Sequence, residues 1–276
     1  MQIAQPIDPL FTELAGNQWG EENPEDLLLS KTVHIPTIQS LARVLLGDTG
    51  CGGMSEVFEL LYTAESLDQS LVDWVDEIPV SWSYKSAPIV QPAKYSNLLK
   101  IGFVPSHVHT YPDIFIGRVW NIYRVSRLIL QSIIQRAIFW LSEYADYHQS
   151  PVEITISDTT TRALVNDICA SVPYLLGFEV NNNNPQPHAS LSEGWNLWPQ
   201  NFMLLVNSTM NGKFSLLWPL HVASSVVATP RLQRDWIMAQ IRWLGRAGNI
   251  PQASLVAKCE SQILSGGTES FRYDCV

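Results

Sequence analysis

Apolar residues recur at three- and four-residue steps along one stretch of the chain: Val57, Leu60, Leu61, Ala64, Leu67, Leu71, Trp74, Val75 and Ile78. Glu56, Glu59, Glu65, Asp68, Asp73 and Asp76 fall between them. That pattern is one wide apolar face on a helix of about six turns. Pro79 ends it, because a proline disfavours helical backbone in the residue before it. An earlier helix is predicted from Pro36 to Leu46, broken by the glycine run at 47–53. That run lacks the Gly-Lys-Ser/Thr ending of a phosphate loop and no strand precedes it, so it reads as a flexible turn.

Pro112 and Asp113 open a segment that is apolar on nearly every side, from Ile114 to Leu141. Its polar stripe is Gly117, Asn121, Arg124, Gln131 and Gln135. A helix apolar all round belongs in a core. The segment is long enough to span a bilayer, but Arg118, Arg124, Arg127 and Arg136 would each cost about 2.5–3.5 kcal/mol near the membrane centre. A buried helix is therefore expected, with partners for its arginines, since an unpaired buried charge is costly.

The remaining segments read as follows. Residues 83–110 hold three prolines and form a crossing loop, and Val152 to Ile156 alternates as a short strand. A helix from Thr160 ends near Pro173 and Gly177. The polar run 181–187 is a mobile surface loop. Trp195–Met210 and Ser215–Val227 are helical, with a proline kink at Trp218-Pro219. Thr229-Pro230 caps a helix striped by Leu232, Trp236, Ile237, Ile241 and Leu244, and a last helix runs from Pro251 to Leu264. The whole is an all-α, irregular multi-helix bundle in a single domain over 34–264. A loosely ordered arm with short helical turns (1–33) precedes it, and a flexible tail (265–276) follows.

Composition agrees with a packed core. Hydrophobic residues make up 46% and charged residues 16% of 276 positions, below the usual charged share of about 25%. The net charge of −9 comes with only 17 scattered Lys and Arg, whereas a nucleic-acid grip needs basic residues gathered on one face. The N-terminus shows no basic region followed by an apolar run, so no secretory signal is read. Cys51, Cys169, Cys259 and Cys275 are too far apart for a zinc knuckle and are read as reduced thiols.

Several segments in order carry a resemblance. They are Ala64-x-x-Leu67-Asp68-x-x-Leu71-x-x-Trp74 with Ile78-Pro79 and Trp82; Tyr111-Pro112-Asp113 leading to Trp120-Asn121-x-Tyr123-Arg124-x-x-Arg127-Leu128; Ile168-Cys169-Ala170-Ser171-Val172-Pro173-Tyr174-x-Leu176-Gly177, with x at Leu175; Gly212 to Ala223 around Leu217-Trp218-Pro219-Leu220; and Ile241-x-x-Leu244-Gly245-Arg246 with Gly248-Asn249-Ile250-x-Gln252-Ala253. Together they resemble the regulatory, C-terminal part of fungal zinc-binuclear-cluster transcription factors, over residues 55 to 260. Members that bind DNA carry six close-spaced cysteines near the N-terminus; this chain departs from that pattern. The resemblance implies the regulatory fold, no DNA contact by this chain, and a nuclear or cytoplasmic place. The chain is then a fragment of a longer protein, a relative without the cluster, or a domain turned to binding or transforming a small molecule.

Candidate site residues are few. His107 and His109, with Asp113, have the spacing of a ligand or acid–base pair, but no third metal ligand is nearby in sequence, so no metal is assigned. Tyr111, Trp120, Tyr123 and Arg124 can line a pocket for a flat, oxygenated ligand. Arg127 and Trp218 complete the pocket candidates, Trp218 because a kinked helix shapes a cavity. The plainer reading of each is a loop histidine, a core aromatic or a paired arginine. Cys169 lacks a base and reads as an inert buried thiol; Ser171 lacks a nucleophile elbow. No cofactor is expected. The function expected is control of a metabolic or secondary-metabolite pathway through regulatory proteins or a second copy, with sensing of a small apolar or oxygenated metabolite. The alternative is a cofactor-independent enzyme, for cyclisation or rearrangement, or a ligand-binding protein on the same fold.

Overall fold

A computed structural model describes residues 23–47, 52–88, 103–144, 151–180, 203–205, 210–246 and 248–258. The expectations for the N-terminal arm before 23, most of the glycine turn, the 181–187 loop and the tail lie outside them. The fold is all-α with many helices, as the periodicity predicts. Its elements are α1 (Pro24–Thr32), α2 (Ile35–Leu45), α3 (Met54–Glu77), a 3₁₀ turn (Val80–Trp82), β1 (Lys85–Pro88), β2 (His107–Thr110), α4 (Ile114–Tyr144), α5 (Pro151–Leu175), β3 (Phe178–Val180), β4 (Met203–Leu205), α6 (Met210–Ser225), α7 (Arg231–Arg246) and α8 (Pro251–Val256). No described helix is long and apolar enough to cross a membrane.

The chain gathers into two compact units. Among the described residues, one comprises those from 23 to 80 and from 125 to 161; the other comprises those from 81 to 124 and from 162 to 258. In the first, α1 and α2 each pack on α3. Asn23 caps α1 by accepting the Glu25 N–H at 3.1 Å, and the fully buried Trp74 donates its indole N–H to Pro24 O at 2.8 Å. The face of α3 read from the sequence is the buried one, including Val57, Leu60, Leu61, Ala64, Leu71 and Trp74. Asp68 is buried too. It accepts from Arg127 Nε at 2.8 Å and Nη2 at 2.9 Å, and from Gln131 Nε2 at 2.8 Å. A bidentate guanidinium–carboxylate pair of this kind is among the strongest polar contacts available to a side chain.

In the second unit, α6 packs on α7 and α7 on α8. The fully buried Trp236, Ile237 and Ile241, with Leu244, form most of the expected stripe, whereas Leu232, also read into it, is exposed. Two antiparallel pairs, β1–β2 and β3–β4, complete it, with Ser86 opposite His109 and Glu179 opposite Leu204. The Asp113 carboxylate accepts the Ile116 N–H at 2.7 Å and so starts α4. Gly177, at φ 89°, takes the left-handed conformation just beyond α5 that glycine adopts without steric cost.

Several expectations are corrected. The crossing loop contains β1 and β2, whose four residues each are too short to show a clear period. Residues 152–156 are helical, because α5 begins at Pro151, a favoured first helical position. The end of α5 at Leu175, by contrast, falls where it is expected, near Pro173 and Gly177. Residues 203–205, assigned to a helix, are strand β4. Thr229 is not a cap: its hydroxyl donates to Ala223 O at 3.1 Å, while Pro230 O accepts the Arg234 N–H at 2.9 Å.

Candidate functional site

The second unit holds a buried polar cluster built around Arg124. Strand β2 alternates sides, so residues two apart share a face. This gives His107 and His109 a common direction, and their ring centroids lie 5.1 Å apart. His109 is 2% exposed and Arg124 1%. Arg124 Nη1 donates to Tyr111 Oη at 2.7 Å and to Asn121 Oδ1 at 2.9 Å. Arg124 Nη2 donates to His109 Nδ1 at 3.2 Å. Asp167 of α5 supplies the carboxylate, 3.9 Å from Arg124 Nε, 3.4 Å from His107 Nε2 and 3.7 Å from His109 Nε2. Asn121 Nδ2 donates to Ser171 Oγ at 3.0 Å, and that hydroxyl donates to Ile168 O at 2.7 Å.

Aromatic faces enclose the guanidinium carbon, with Tyr84 at 5.0 Å, Trp120 at 5.6 Å and Tyr111 at 5.8 Å. Such faces attract a cation that has left water. Gly117 makes the enclosure possible. A Cβ there would come within 3.1 Å of the Tyr111 ring and 3.2 Å of Leu175 Cδ2.

The electrostatics follow from burial. Burial opposes the charge on Arg124, yet Tyr111, Asp167 and Tyr84 hold its pKa above the ordinary value. Burial first, then the charges of Arg124 and His107, lower the His109 pKa to about 2. Burial raises the Tyr111 phenol to about 12, against the pull of Arg124. Neither group changes its proton near neutrality, so neither suits general acid–base work at that pH.

The ligand atoms of His107, His109 and Asp167 lie within 4.8 Å of one another. Two imidazoles and a carboxylate are a donor set for a first-row divalent ion. Asp167 is the third ligand that local sequence spacing could not supply. The surroundings nevertheless do not fit a metal. A guanidinium has no lone pair, so His109 Nδ1 must accept from Arg124 and the ring proton belongs on Nε2, the atom a metal would need. The fixed charge of Arg124 beside Asp167 opposes a second cation as well.

Of the pocket candidates, the structure brings His107, His109, Tyr111, Trp120 and Arg124 together. Tyr123 stands at the margin, buried, with its ring 5.6 Å from that of Trp120. Arg127 belongs to the first unit and is spent on Asp68. Trp218, on α6, is 42% exposed and meets the His221 ring edge-on at 6.2 Å. Asp113 is used as the α4 cap. An open groove of about 430 Å³ lies on α3, lined by Tyr62, Glu65, Ser66, Gln69, Ser70 and Asp73, and none of the candidates lines it. Four members of the cluster are absent from the pocket candidates: Tyr84, Asp167, Asn121, which the sequence places only in a polar stripe, and Ser171, weighed only as a nucleophile. A signal existed for Asp167: it sits three residues after Leu164 and four before Ser171, on the buried face of α5.

These features define an all-helical protein whose polar centre is a satisfied, buried arginine network. No protein-family model matches the chain, and no solved structure matches it. A stretch of 207 residues is 26% identical to Transcription factor dbaG of Emericella nidulans, covering 74% of this chain and 44% of that protein. The chain is thus similar to a fungal transcription factor and spans less than half of that relative's length.

Proposed function

We propose that the chain is the regulatory part of a fungal transcription factor. It acts in the nucleus on a metabolic or secondary-metabolite pathway, through contacts with regulatory proteins or a second copy, and does not read DNA by itself. The observation that carries this reading is the similarity to dbaG across three quarters of an all-helical chain. The net charge of −9 supports the absence of DNA reading by this chain. Fold and function separate in general, so the test must be functional. Tethered to a foreign DNA-binding module in a fungal host, the full chain is expected to change transcription from a reporter. The untethered chain is expected to leave a DNA fragment unshifted.

Metabolite sensing is the second part of the reading. His107 and Asp167 reach solvent at the edge of the Arg124 cluster, their side chains 26% and 30% exposed, and suit a small oxygenated compound. A ligand acts as a signal only through unequal affinity for two states. Incubating the chain with fungal metabolites and analysing bound and new compounds by mass spectrometry tests this. A retained, unchanged compound supports sensing. A new product formed without added cofactor, together with an unchanged reporter, replaces the regulatory reading with the enzyme reading.

A further inference from the structure

We propose that the first unit carries a docking surface for an acidic segment of a partner protein, formed by Arg43 of α2 with Arg136, Phe139, Trp140 and Tyr144 of α4. The observation behind it is an imbalance along one helix. Arg124 and Arg127 have dedicated polar partners. Nη2 of Arg136 is out of contact with solvent and has no hydrogen-bond partner. Among the described residues no ion pair joins Arg136 or Arg43 to an acid. Helix α2 has no acidic residue, and Glu143 is the sole acid of α4. Arg43 adds to the strain: burial first, then the charge of Arg43, lower the Arg136 pKa.

The side chains beside these arginines are those that anchor protein interfaces. Arg136, Trp140 and Tyr144 follow at four-residue steps on one side of α4, and Phe139 lies next to them. Phe139 is 61% and Tyr144 70% exposed. The Trp140 and Tyr144 rings meet at a 35° tilt with centroids 4.8 Å apart. Trp, Tyr and Arg dominate binding hot spots. A guanidinium that is already partly desolvated and lacks a counter-charge gains more from an arriving carboxylate than a fully hydrated one does. The occupant that fits is therefore a peptide segment with Asp or Glu for the two arginines and apolar side chains for the three aromatics. Nucleobases could stack on such rings too, but a net charge of −9 with only 17 Lys and Arg disfavours a polynucleotide and leaves a peptide as the occupant.

The test uses the full chain and a fluorescein-labelled peptide of about 14 residues that alternates Glu or Asp with Leu or Phe. Controls are the same peptide with Gln and Asn for the acids, and a labelled oligo-dT. Saturable binding of the acidic peptide is expected, weakened at least about tenfold in the amide peptide. Arg136→Met is expected to abolish that binding while raising Tm by about 2–4 °C, since an unpaired buried charge is replaced by an apolar chain. The exposed Arg43→Gln should weaken binding several-fold with Tm unchanged. The proposal is overturned if the acidic peptide does not bind, if the amide peptide or oligo-dT binds as well, or if either variant keeps full affinity. A fall in Tm in Arg136→Met also overturns it, by showing that Arg136 supports the fold. The reporter measurement is independent, so failure there leaves this surface standing, and failure here leaves the transcriptional reading standing.

Discussion

Arg124 is a cation wholly removed from water, held by one carboxylate, three aromatic faces and three uncharged acceptors. Removing one partner from such a network strands some of the others. Arg124→Met leaves Asn121 Oδ1 without its donor and Asp167 without its fixed cation, while Tyr111 Oη and His109 Nδ1, 3.2 Å apart, keep each other, and is expected to cost about 2–3 kcal/mol, read from urea unfolding. Arg124→Lys should recover little of that, because an ammonium cannot reproduce the planar fork that reaches three acceptors. His109 gives the chain a pH dependence of known sign. Its pKa is the usual 6.5 unfolded and about 2 folded. Between those values the unfolded chain binds a proton that the folded chain does not, so stability falls as pH drops below about 6.5, by at most about 1.4 kcal/mol per unit. His109→Asn is expected to flatten the unfolding free energy between pH 6.5 and 4, while the smaller contribution of His221, whose pKa burial also lowers, remains. At this scale the sequence named His107, His109, Tyr111, Trp120 and Arg124. It could not name Asp167, because a helix period says which face a carboxylate lies on and not which base it meets 43 residues earlier, at Arg124.

At the scale of elements, Asp68 joins α3 to Arg127 and Gln131 of α4 within the first unit. Asp68→Ala removes the buried carboxylate that Arg127 and Gln131 share and is expected to cost about 3 kcal/mol. Replacing the pair together, as Asp68→Leu with Arg127→Met, should cost less than either single change, and a double-mutant cycle in urea measures the difference. Long helices are legible because a stripe repeated over several turns overrides local noise: the predicted face from Val57 to Val75 lies wholly within α3. The β1–β2 hairpin is not, since four residues give two positions per face and its halves are separated by a long connection. Residues 152–156 misled for a related reason. Over five positions, an alternating pattern and the edge of a helical stripe look the same.

Across the whole molecule, the buried thiol of Cys169 reports on unfolding. Burial raises its pKa to about 12, and Gln233 Nε2 lies 3.6 Å from its sulfur. Iodoacetamide is expected to leave Cys169 unlabelled in the native chain and to modify it at the rate of global unfolding in denaturant, as peptide mapping would show. The sequence already read this cysteine as an inert thiol, since the apolar residues around it mark a core position.

The order in which the chain contributes to its two units bears on how such a protein can be cut, spliced or inherited. It passes from one unit to the other at residue 80, within α4 after 124 and within α5 after 161. No single break in the gene separates the two. A truncation anywhere between residues 81 and 160 divides both units between the expressed and discarded pieces, and one between 162 and 258 still divides the second. Recombination can therefore move this module to a new protein only as one stretch, from before α1 to beyond α8.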